Sequence, residues 1–201
     1  MKKGLLFIIS GPAGSGKGTV VNSLIKNHPE LSLSVSATTR APRAGEIDGV
    51  HYHFISKDEF EKLIEKGEVL EHTTYCENYY GTLKREVLKA NKAGRDIILE
   101  IEVDGAMQVK KKVRGAVTIM LTPPDADSLE RRLRGRATET DEVIKWRLNR
   151  AKEEIKLIGN YDYSVVNNDG EADKCAELIY DIIKAEHQKT KYTKSIAEKF
   201  I

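Results

Sequence analysis

The sequence predicts an α/β protein, a three-layer sandwich in which helices cover both faces of a parallel core sheet. Two observations support this fold class. Short, wholly apolar runs typical of strands buried on both faces recur along the chain, and segments with helical periodicity separate them. The length of 201 residues and a composition that is 40% hydrophobic and 32% charged suit one globular unit with a sizeable core.

The predicted core elements alternate along the chain. Leu5 to Ile9 is a fully apolar strand, and we expect it to lie centrally in the sheet. A helix follows from Gly16 to about Asn27, and Pro29 prevents it from continuing. The remaining core elements are predicted strands at Ile97 to Ile101, Ala116 to Leu121 and Tyr163 to Val166, and helices around Met107 to Lys112 and Glu171 to Gln188.

Two stretches interrupt this alternation. Residues 38–93 are polar and rich in aromatic side chains, with strand candidates at Tyr52 to Ile55 and Val69 to Thr73 and a helix from Ser56 that opens with a capping box, S-K-D-E. Residues 127–158 are mostly helical and highly charged, and the glycine within RRLRGR indicates a break between two helices. We therefore expect an inserted lobe at 38–93, a lid at 127–158, and a core domain formed by residues 1–37, 94–126 and 159–201.

The charge balance and the cysteines restrict the partners and the compartment. Lysine and arginine total 33 against 31 acidic residues, so the net charge of +2 gives no general attraction to nucleic acid or to a membrane surface, and we expect neither as a partner. The apolar run in MKKGLLFII is too short for an export signal. Cys76 and Cys175 lack metal-ligand or disulfide spacing, which favours the cytoplasm. We expect a monomer or a homodimer.

Residues 11–19, GPAGSGKGT, lie where the first strand passes into the first helix. Glycines there let backbone N–H groups approach an anion closely, and the positive end of the helix dipole points at the same place. The spacing Gly11-x4-Gly16-Lys17 is that of a P-loop, in which Lys17 can reach the β and γ phosphates of a nucleotide. Gly18 and then Thr19 follow where the strict pattern has Ser or Thr directly after the lysine, so direct magnesium ligation by the loop is left open.

A second basic loop follows the first helix. It places Arg40 and Arg43 three residues apart, and Pro42 restricts the conformation of the turn. A planar guanidinium binds phosphate oxygens in pairs, so this loop is a candidate clamp for a monophosphate, to which Tyr52 and Tyr80 could add hydroxyl groups. Without other motifs, a solvated basic loop is the competing interpretation.

Several stretches together resemble the guanylate kinase family. The loop form G-x-x-x-x-G-K-G-T is common in nucleoside monophosphate kinases, and SVSATTRAPRAGEIDGVHYHF resembles the guanylate kinase signature, with which ENYYGT, the GR and TET of the lid, and VVNN agree. The resemblance spans almost the whole chain. It implies a P-loop three-layer sandwich with an inserted GMP-binding lobe and a helical lid. It also implies an enzyme that transfers the γ-phosphoryl group of ATP to GMP or dGMP, with ATP as co-substrate and Mg²⁺.

The resemblance further implies the residues of the donor site. The predicted ATP-binding residues are Gly11, Pro12, Ala13, Gly14, Ser15, Gly16, Lys17, Gly18, Thr19 and Asn167, the last near the base. The predicted oxygen ligands of Mg²⁺, directly or through water, are Thr19, Glu100 and Glu102. The two glutamates stand at the carboxyl end of a buried strand, where ligands bind in open α/β sheets. Relatives more often have Asp and Gln where this chain has Glu102 and Asp104.

The acceptor site is implied in the same way. The predicted GMP-binding residues are Ser36, Arg40, Arg43, Tyr52, Glu71, Tyr80, Thr82 and Glu102. Guanine offers two neighbouring donors, N1–H and the 2-amino group, and an ionised carboxylate accepts from both but is left unpaired against adenine. Glu71 occupies the family's position for this carboxylate. Without the resemblance, Glu71 would be interpreted as a surface acid.

Phosphoryl transfer needs alignment and charge neutralisation rather than a general base, because a phosphate acceptor with a second pKa of about 6 is already largely ionised at neutral pH. The catalytic cations that the resemblance implies are Lys17, Arg40, Arg43, Arg132, Arg136 and Arg147, with Arg131 and Arg134 near enough in sequence to compete. Two alternatives remain. One is a non-catalytic scaffolding module of the same shape, which typically lacks a complete phosphate loop. The other is a kinase for a different monophosphate, against which Glu71 argues.

Overall fold

A computed structural model describes residues 4–135 and 140–193 of the chain. The strands are β1 (Leu6–Ser10), β2 (Ser32–Leu33), β3 (Ala37–Thr38), β4 (His53–Phe54), β5 (Val69–Tyr75), β6 (Asn78–Leu83), β7 (Ile97–Glu100), β8 (Val117–Thr122) and β9 (Tyr163–Val166). The helices are α1 (Lys17–Asn27), α2 (Lys57–Glu65), α3 (Lys84–Lys92), α4 (Val103–Lys112), α5 (Ala126–Arg134), α6 (Asp141–Ile155), α7 (Ala172–His187) and α8 (Thr190–Thr193), with a 3-10 helix at Lys156–Asn160.

The core is a five-stranded, wholly parallel sheet with the order β2-β7-β1-β8-β9, so the predicted fold class is confirmed. Strand β1 lies in the middle of the sheet, as its fully apolar sequence predicts, and all five of its residues are buried. Because successive side chains of a strand point to opposite faces, Phe7 and Ile9 pack with α1 and α7, whereas Leu6 and Ile8 pack with α4. Helices thus cover both faces and give three layers.

A second sheet lies within residues 38–93, with part of β3 just before them. Its order is β4-β3-β6-β5, and β5 and β6 form an antiparallel hairpin whose turn residues, Cys76 and Glu77, both have positive φ. The helix predicted to begin at Ser56 is present, because the Ser56 side chain accepts a hydrogen bond from the Glu59 amide at the start of α2. Phe60, fully buried, forms the centre of a small separate core under this sheet.

Two helices follow β8 in the segment predicted as a lid. The Asp125 carboxylate accepts a hydrogen bond of 2.7 Å from the Ser128 amide and so caps α5, which ends at Gly135. Thr140 caps α6, and Leu129 and Leu133 of α5 pack with Ile144 of α6. Arg136 lies outside the described residues.

Several elements differ from the sequence predictions. The sequence did not predict strands β2, β3 and β6 or helices α3 and α8, and α3 has no side-chain cap that would have marked its start. Helix α4 begins at Val103, earlier than predicted, because Gly105 in its first turn conceals the helical pattern. Val87 of α3, within the predicted lobe, packs in one cluster with Ile97 of the core sheet. The division of the chain into core, lobe and lid stays a prediction. Among the described residues, no helix has the length and apolar character needed to cross a membrane.

Candidate active site

One cleft of about 740 Å³ lies at the carboxyl ends of the core strands. Its walls come from five parts of the chain: the glycine loop with the start of α1, residues 33–36 at the end of β2, the sheet of residues 38–93, the end of β7 with the start of α4, and helix α6. Most of the predicted site residues line it, namely Ala13, Gly14, Gly16, Lys17, Gly18, Thr19, Ser36, Tyr52, Glu71, Tyr80, Glu100, Glu102 and Arg147. The predicted donor and acceptor sites therefore share a single opening, as ligand sites at the ends of parallel strands do.

The glycine loop turns from β1 into α1 and holds its lysine in place. Gly16, at the N-terminus of α1, has φ of 90°, a left-handed conformation that glycine adopts without strain. A Cβ at this position would also lie 2.4 Å from the Asn167 amide nitrogen, so both the backbone and the space require glycine. The Lys17 ammonium donates to the Gly11 carbonyl at 2.7 Å and pairs with Glu102 at 3.2 Å. The cation is thus anchored over the loop, beside the amides that would bind phosphate.

The outer side of the loop is held by two predicted site residues. The buried Asn167 donates to the Ser15 carbonyl at 2.8 Å. Arg132 donates to the same carbonyl at 3.3 Å and to the Asn167 carbonyl at 2.7 Å, and it pairs with Asp169. In this conformation Arg132 therefore contacts the loop's backbone. Arg131 and Arg134 instead pair with acidic groups at the surface, Asp169 for the first, Glu130 and Asp141 for the second.

Two carboxylates approach the loop from the end of β7. Glu100 is half-buried, and burial raises its pKa while the neighbouring Lys17 opposes that rise. A Cβ at Gly18 would lie 3.5 Å from the Glu100 Oε1, so this carboxylate faces the first turn of α1, in which Thr19 also lines the cleft. Glu102 is about half exposed and reaches the Lys17 ammonium.

Glu71 on β5 is buried, with a relative exposure of 4%. Thr82 on the paired strand β6 donates its hydroxyl to the Glu71 carboxylate at 2.7 Å, which joins two residues that the sequence separates by a hairpin. Burial raises the pKa of Glu71, and the hydrogen bonds from Thr82 only oppose that rise. A carboxylate that is desolvated and open to a cleft is suited to accept hydrogen bonds from a ligand.

The burial of Glu71 predicts a pH-dependent cost to stability. Because the pKa of Glu71 is raised, the folded state holds the proton more tightly than the unfolded chain does. The free energy of unfolding therefore decreases as the pH rises from the ordinary pKa of a glutamate to the raised pKa of Glu71. Glu71→Gln keeps an acceptor for Thr82 and removes the charge. We expect a higher Tm than that of the wild type at pH near 8, with the difference shrinking near pH 4. Thermal unfolding at both pH values tests this, and a lower Tm at the higher pH would contradict it.

The basic loop forms an ion-pair cluster that sequence reasoning did not anticipate. Both terminal nitrogens of Arg40 bind the Glu46 carboxylate, at 2.8 and 2.9 Å, and the Arg43 amide donates to the same carboxylate. These contacts lower the pKa of Glu46 to about 2. The Arg40 guanidinium lies 5.5 Å from the Tyr52 ring centre, and Tyr52 in turn lies beside Tyr80 in the wall of the cleft. Glu46 thus occupies the two guanidinium nitrogens of Arg40 that a phosphate could use. The pairing of these two residues is visible only in the folded loop.

Helix α6 contributes the predicted Arg147 and three residues that sequence reasoning missed, Val143, Trp146 and Arg150. All four recur at helical spacing and line the cleft, and that spacing is the pattern that could have identified the other three. Arg150 pairs with Glu154 at 2.7 Å and reaches Asp104, after β7, at 3.8 Å. Trp146 is the single tryptophan of the chain and is 58% exposed, so its fluorescence can report nucleotide binding in the cleft.

Comparisons with known proteins show which family the chain resembles. The family model "Guanylate kinase" matches residues 3–186. The chain is 47% identical to the guanylate kinase of Clostridioides difficile over all of this chain and 97% of the relative. It is 52% identical to that of Halalkalibacterium halodurans over 94% of this chain and 91% of the relative.

A solved structure agrees as well. The crystal structure of guanylate kinase from Anaplasma phagocytophilum aligns with a TM-score of 0.73 and 32% identity, covering 94% of this chain and 89% of that one. The fold, the residues gathered around the cleft and the nearly full-length matches lead to the same assignment, which confirms the resemblance. The chain belongs to the guanylate kinase family.

Proposed function

We propose that this protein transfers the γ-phosphoryl group of ATP to GMP, giving ADP and GDP, as an ATP:GMP phosphotransferase of purine nucleotide metabolism. The observation that supports it best is that one cleft contains both a complete phosphate loop with Lys17 and the buried carboxylate of Glu71. The first feature suits a nucleoside triphosphate and the second suits guanine. A scaffolding module would have no need for the loop.

The residues divide into a donor half and an acceptor half. In the donor half, loop amides and Lys17 would bind the β and γ phosphates of ATP, with Asn167 holding the loop in shape. In the acceptor half, Arg40 and Arg43 would bind the GMP phosphate together with Tyr52 and Tyr80, after Arg40 exchanges Glu46 for phosphate. Ser36, Glu71, Thr82 and Glu102 complete the predicted GMP site.

The reaction itself needs no general base from the protein. The GMP phosphate is already an anion that can attack, so the protein must align it with the γ-phosphoryl group and neutralise the charge that spreads during transfer. Lys17 and Arg147 both line the cleft and are placed to supply positive charge. Arg132 and Arg136 are proposed as further cations. Closing of α6 over the cleft would exclude water that otherwise hydrolyses ATP.

Mg²⁺ is proposed as the metal that accompanies ATP. Among the described residues, no cluster of three or more His, Cys, Asp or Glu side chains is arranged to hold a metal ion by itself. A site made of one or two protein oxygens plus nucleotide phosphates fits the residues present, since the Glu100 carboxylate faces the first turn of α1, where Thr19 also lines the cleft. Thr19, Glu100 and Glu102 would hold the ion directly or through water. When bound, Mg²⁺ would neutralise charge on the ATP phosphates.

A coupled assay that detects ADP tests the proposal. The wild-type protein should turn over GMP and dGMP with ATP, because Glu71 reads the base, and should turn over AMP and UMP at least about 10³-fold less efficiently in kcat/KM. Preference for AMP or UMP would replace GMP by another monophosphate. Absence of turnover with all four would favour the scaffolding module. The cytoplasmic location and the monomeric or homodimeric state stay proposals, and the two free cysteines are consistent with the former.

A further inference from the structure

Helix α4 holds the strand that carries Glu71. Strand β5 is the outer strand of its sheet, so one edge of its backbone has no neighbouring strand in the described part of the chain. The Gln108 side chain takes that place: it accepts from the His72 amide at 3.3 Å and donates to the His72 carbonyl at 3.1 Å. Lys112, one turn later, donates to the Leu70 carbonyl at 2.8 Å. The two residues that flank Glu71 are thus fixed by side chains of one helix.

The Glu71 carboxylate lies directly against Gly105 of α4, which has no side chain. A Cβ built on Gly105 would lie 2.7 Å from the Glu71 Oε2, closer than real Cβ atoms approach, and 3.2 Å from its Cδ, which is tighter than most Cβ contacts. Gly105 lies inside a regular helix and is not among the glycines with positive φ, so its backbone would accept alanine. Alanine is in general a better helix former than glycine. The glycine is therefore required here for space rather than for conformation.

The surroundings leave Glu71 little freedom to adapt. Its other oxygen is bound to Thr82, its side chain is buried, and His72 and Leu70 are tied to α4 on both sides. A methyl group at position 105 would push the carboxylate toward the cleft, away from the position in which it meets a base. Helix α4 also begins directly after Glu102, the partner of Lys17, so a single turn of helix connects the phosphate site with the base site.

We propose that Gly105 is a specificity-determining position and Gln108 a positioning residue: together they set the location of the Glu71 carboxylate against the base of the acceptor nucleotide. The inference rests on the proposed function, in which that base is guanine. Gly105 lines the cleft and Gln108 does not, and in this proposal both act through Glu71. Helix α4 thus supplies base selection from outside the sheet that carries the carboxylate.

The test compares GMP with inosine monophosphate, which lacks the 2-amino group and so removes one of the two donors that Glu71 would bind. In Gly105→Ala, the ratio of kcat/KM for GMP to that for inosine monophosphate should fall at least about tenfold, because a charge-assisted hydrogen bond is lost. The KM for ATP should stay within about twofold of wild type. Tm should fall by no more than a few degrees, because the added methyl group displaces one side chain and leaves the backbone of the helix in place. Gln108→Met should lower the ratio in the same direction by a smaller factor.

Two further variants separate positioning from general damage. Lys111→Ala, at an exposed position of the same helix, should leave the ratio unchanged. In a Glu71→Gln background, Gly105→Ala should change the ratio no further, because the group through which it acts is gone. Titrations of GMP and inosine monophosphate followed by Trp146 fluorescence give the same comparison without turnover.

The outcomes distinguish this inference from the proposed function. If the wild type phosphorylates GMP but Gly105→Ala and Gln108→Met keep its ratio, the inference is wrong and the proposed function stands. Equal losses for both nucleotides, with a lower Tm and a raised KM for ATP, would mean a merely structural role and also overturn it. If the wild type does not phosphorylate GMP, the proposed function fails first, and the inference fails with it.

Discussion

Lys17→Met should lower kcat for phosphoryl transfer by about 10³-fold or more, the largest effect we expect from any single change at this site. The ammonium lies in the glycine loop, anchored 2.7 Å from the Gly11 carbonyl, and is placed to follow the charge that develops on the moving phosphoryl group. Methionine keeps most of the length of the side chain and its apolar stem but removes the charge. The measurement is steady-state turnover with saturating GMP and ATP.

The fold should survive this substitution. Lys17 pairs with Glu102, which is about half exposed, so water can solvate the carboxylate when its partner is removed. We therefore expect a Tm within a few degrees of wild type. Lys26→Met, at an exposed position in the last turn of the same helix, is the matched control and should keep wild-type turnover. Comparable turnover in Lys17→Met and Lys26→Met would refute the assignment of Lys17.

Glu71→Gln should reduce kcat/KM for GMP by about 10² to 10⁴-fold and leave ATP binding nearly intact. An amide oxygen can still accept the Thr82 hydroxyl, but the amide nitrogen is a donor and would face a donor of guanine. Because Glu71 is buried, water cannot replace the lost partner, and this makes the penalty steep. Turnover at varied GMP concentration gives the first quantity, and Trp146 fluorescence during ATP titration gives the second.

Glu68→Gln is the matched control, since Glu68 is exposed and immediately precedes β5. It should retain the wild-type KM for GMP. Taken with the stability measurement described above, Glu71→Gln should become a poorer enzyme and a more heat-resistant protein at the same time, as expected where a charge is buried for binding. Unchanged GMP kinetics in Glu71→Gln would show that another group reads the base.

The donor site could be predicted from the sequence because its residues are contiguous. Gly11, Gly16 and Lys17 form their loop through local backbone geometry and the strand-to-helix change around it, both visible in the order of residues. The core sheet was predictable for a similar reason, since strands buried on both faces are apolar throughout. Strand β6 and helix α3 lack such signals, because β6 is polar and aromatic and α3 has no capping side chain.

The acceptor site depends on contacts between distant residues, and these follow only from the fold. Thr82 meets Glu71 because of the register of one hairpin, and only the resemblance to a family, not any local pattern, indicated that both belong to the GMP site. Neither the ion pair between Arg40 and Glu46 nor the approach of Arg150 to Asp104 was predicted. Gly105 could not be recognised either, because a glycine in a helix gives no sign that a carboxylate rests on it.

The packing of α5 on the glycine loop makes that helix and the loop one mechanical unit. A Cβ at Gly14 would lie 2.8 Å from the side chain of Leu129 in α5. Arg132, also in α5, donates a hydrogen bond to the Ser15 carbonyl at 3.3 Å. The glycine loop therefore loses its conformational entropy when the protein folds and not when the nucleotide binds. The loop is thus already formed for ATP whether or not GMP is present, so we expect the two substrates to bind in either order.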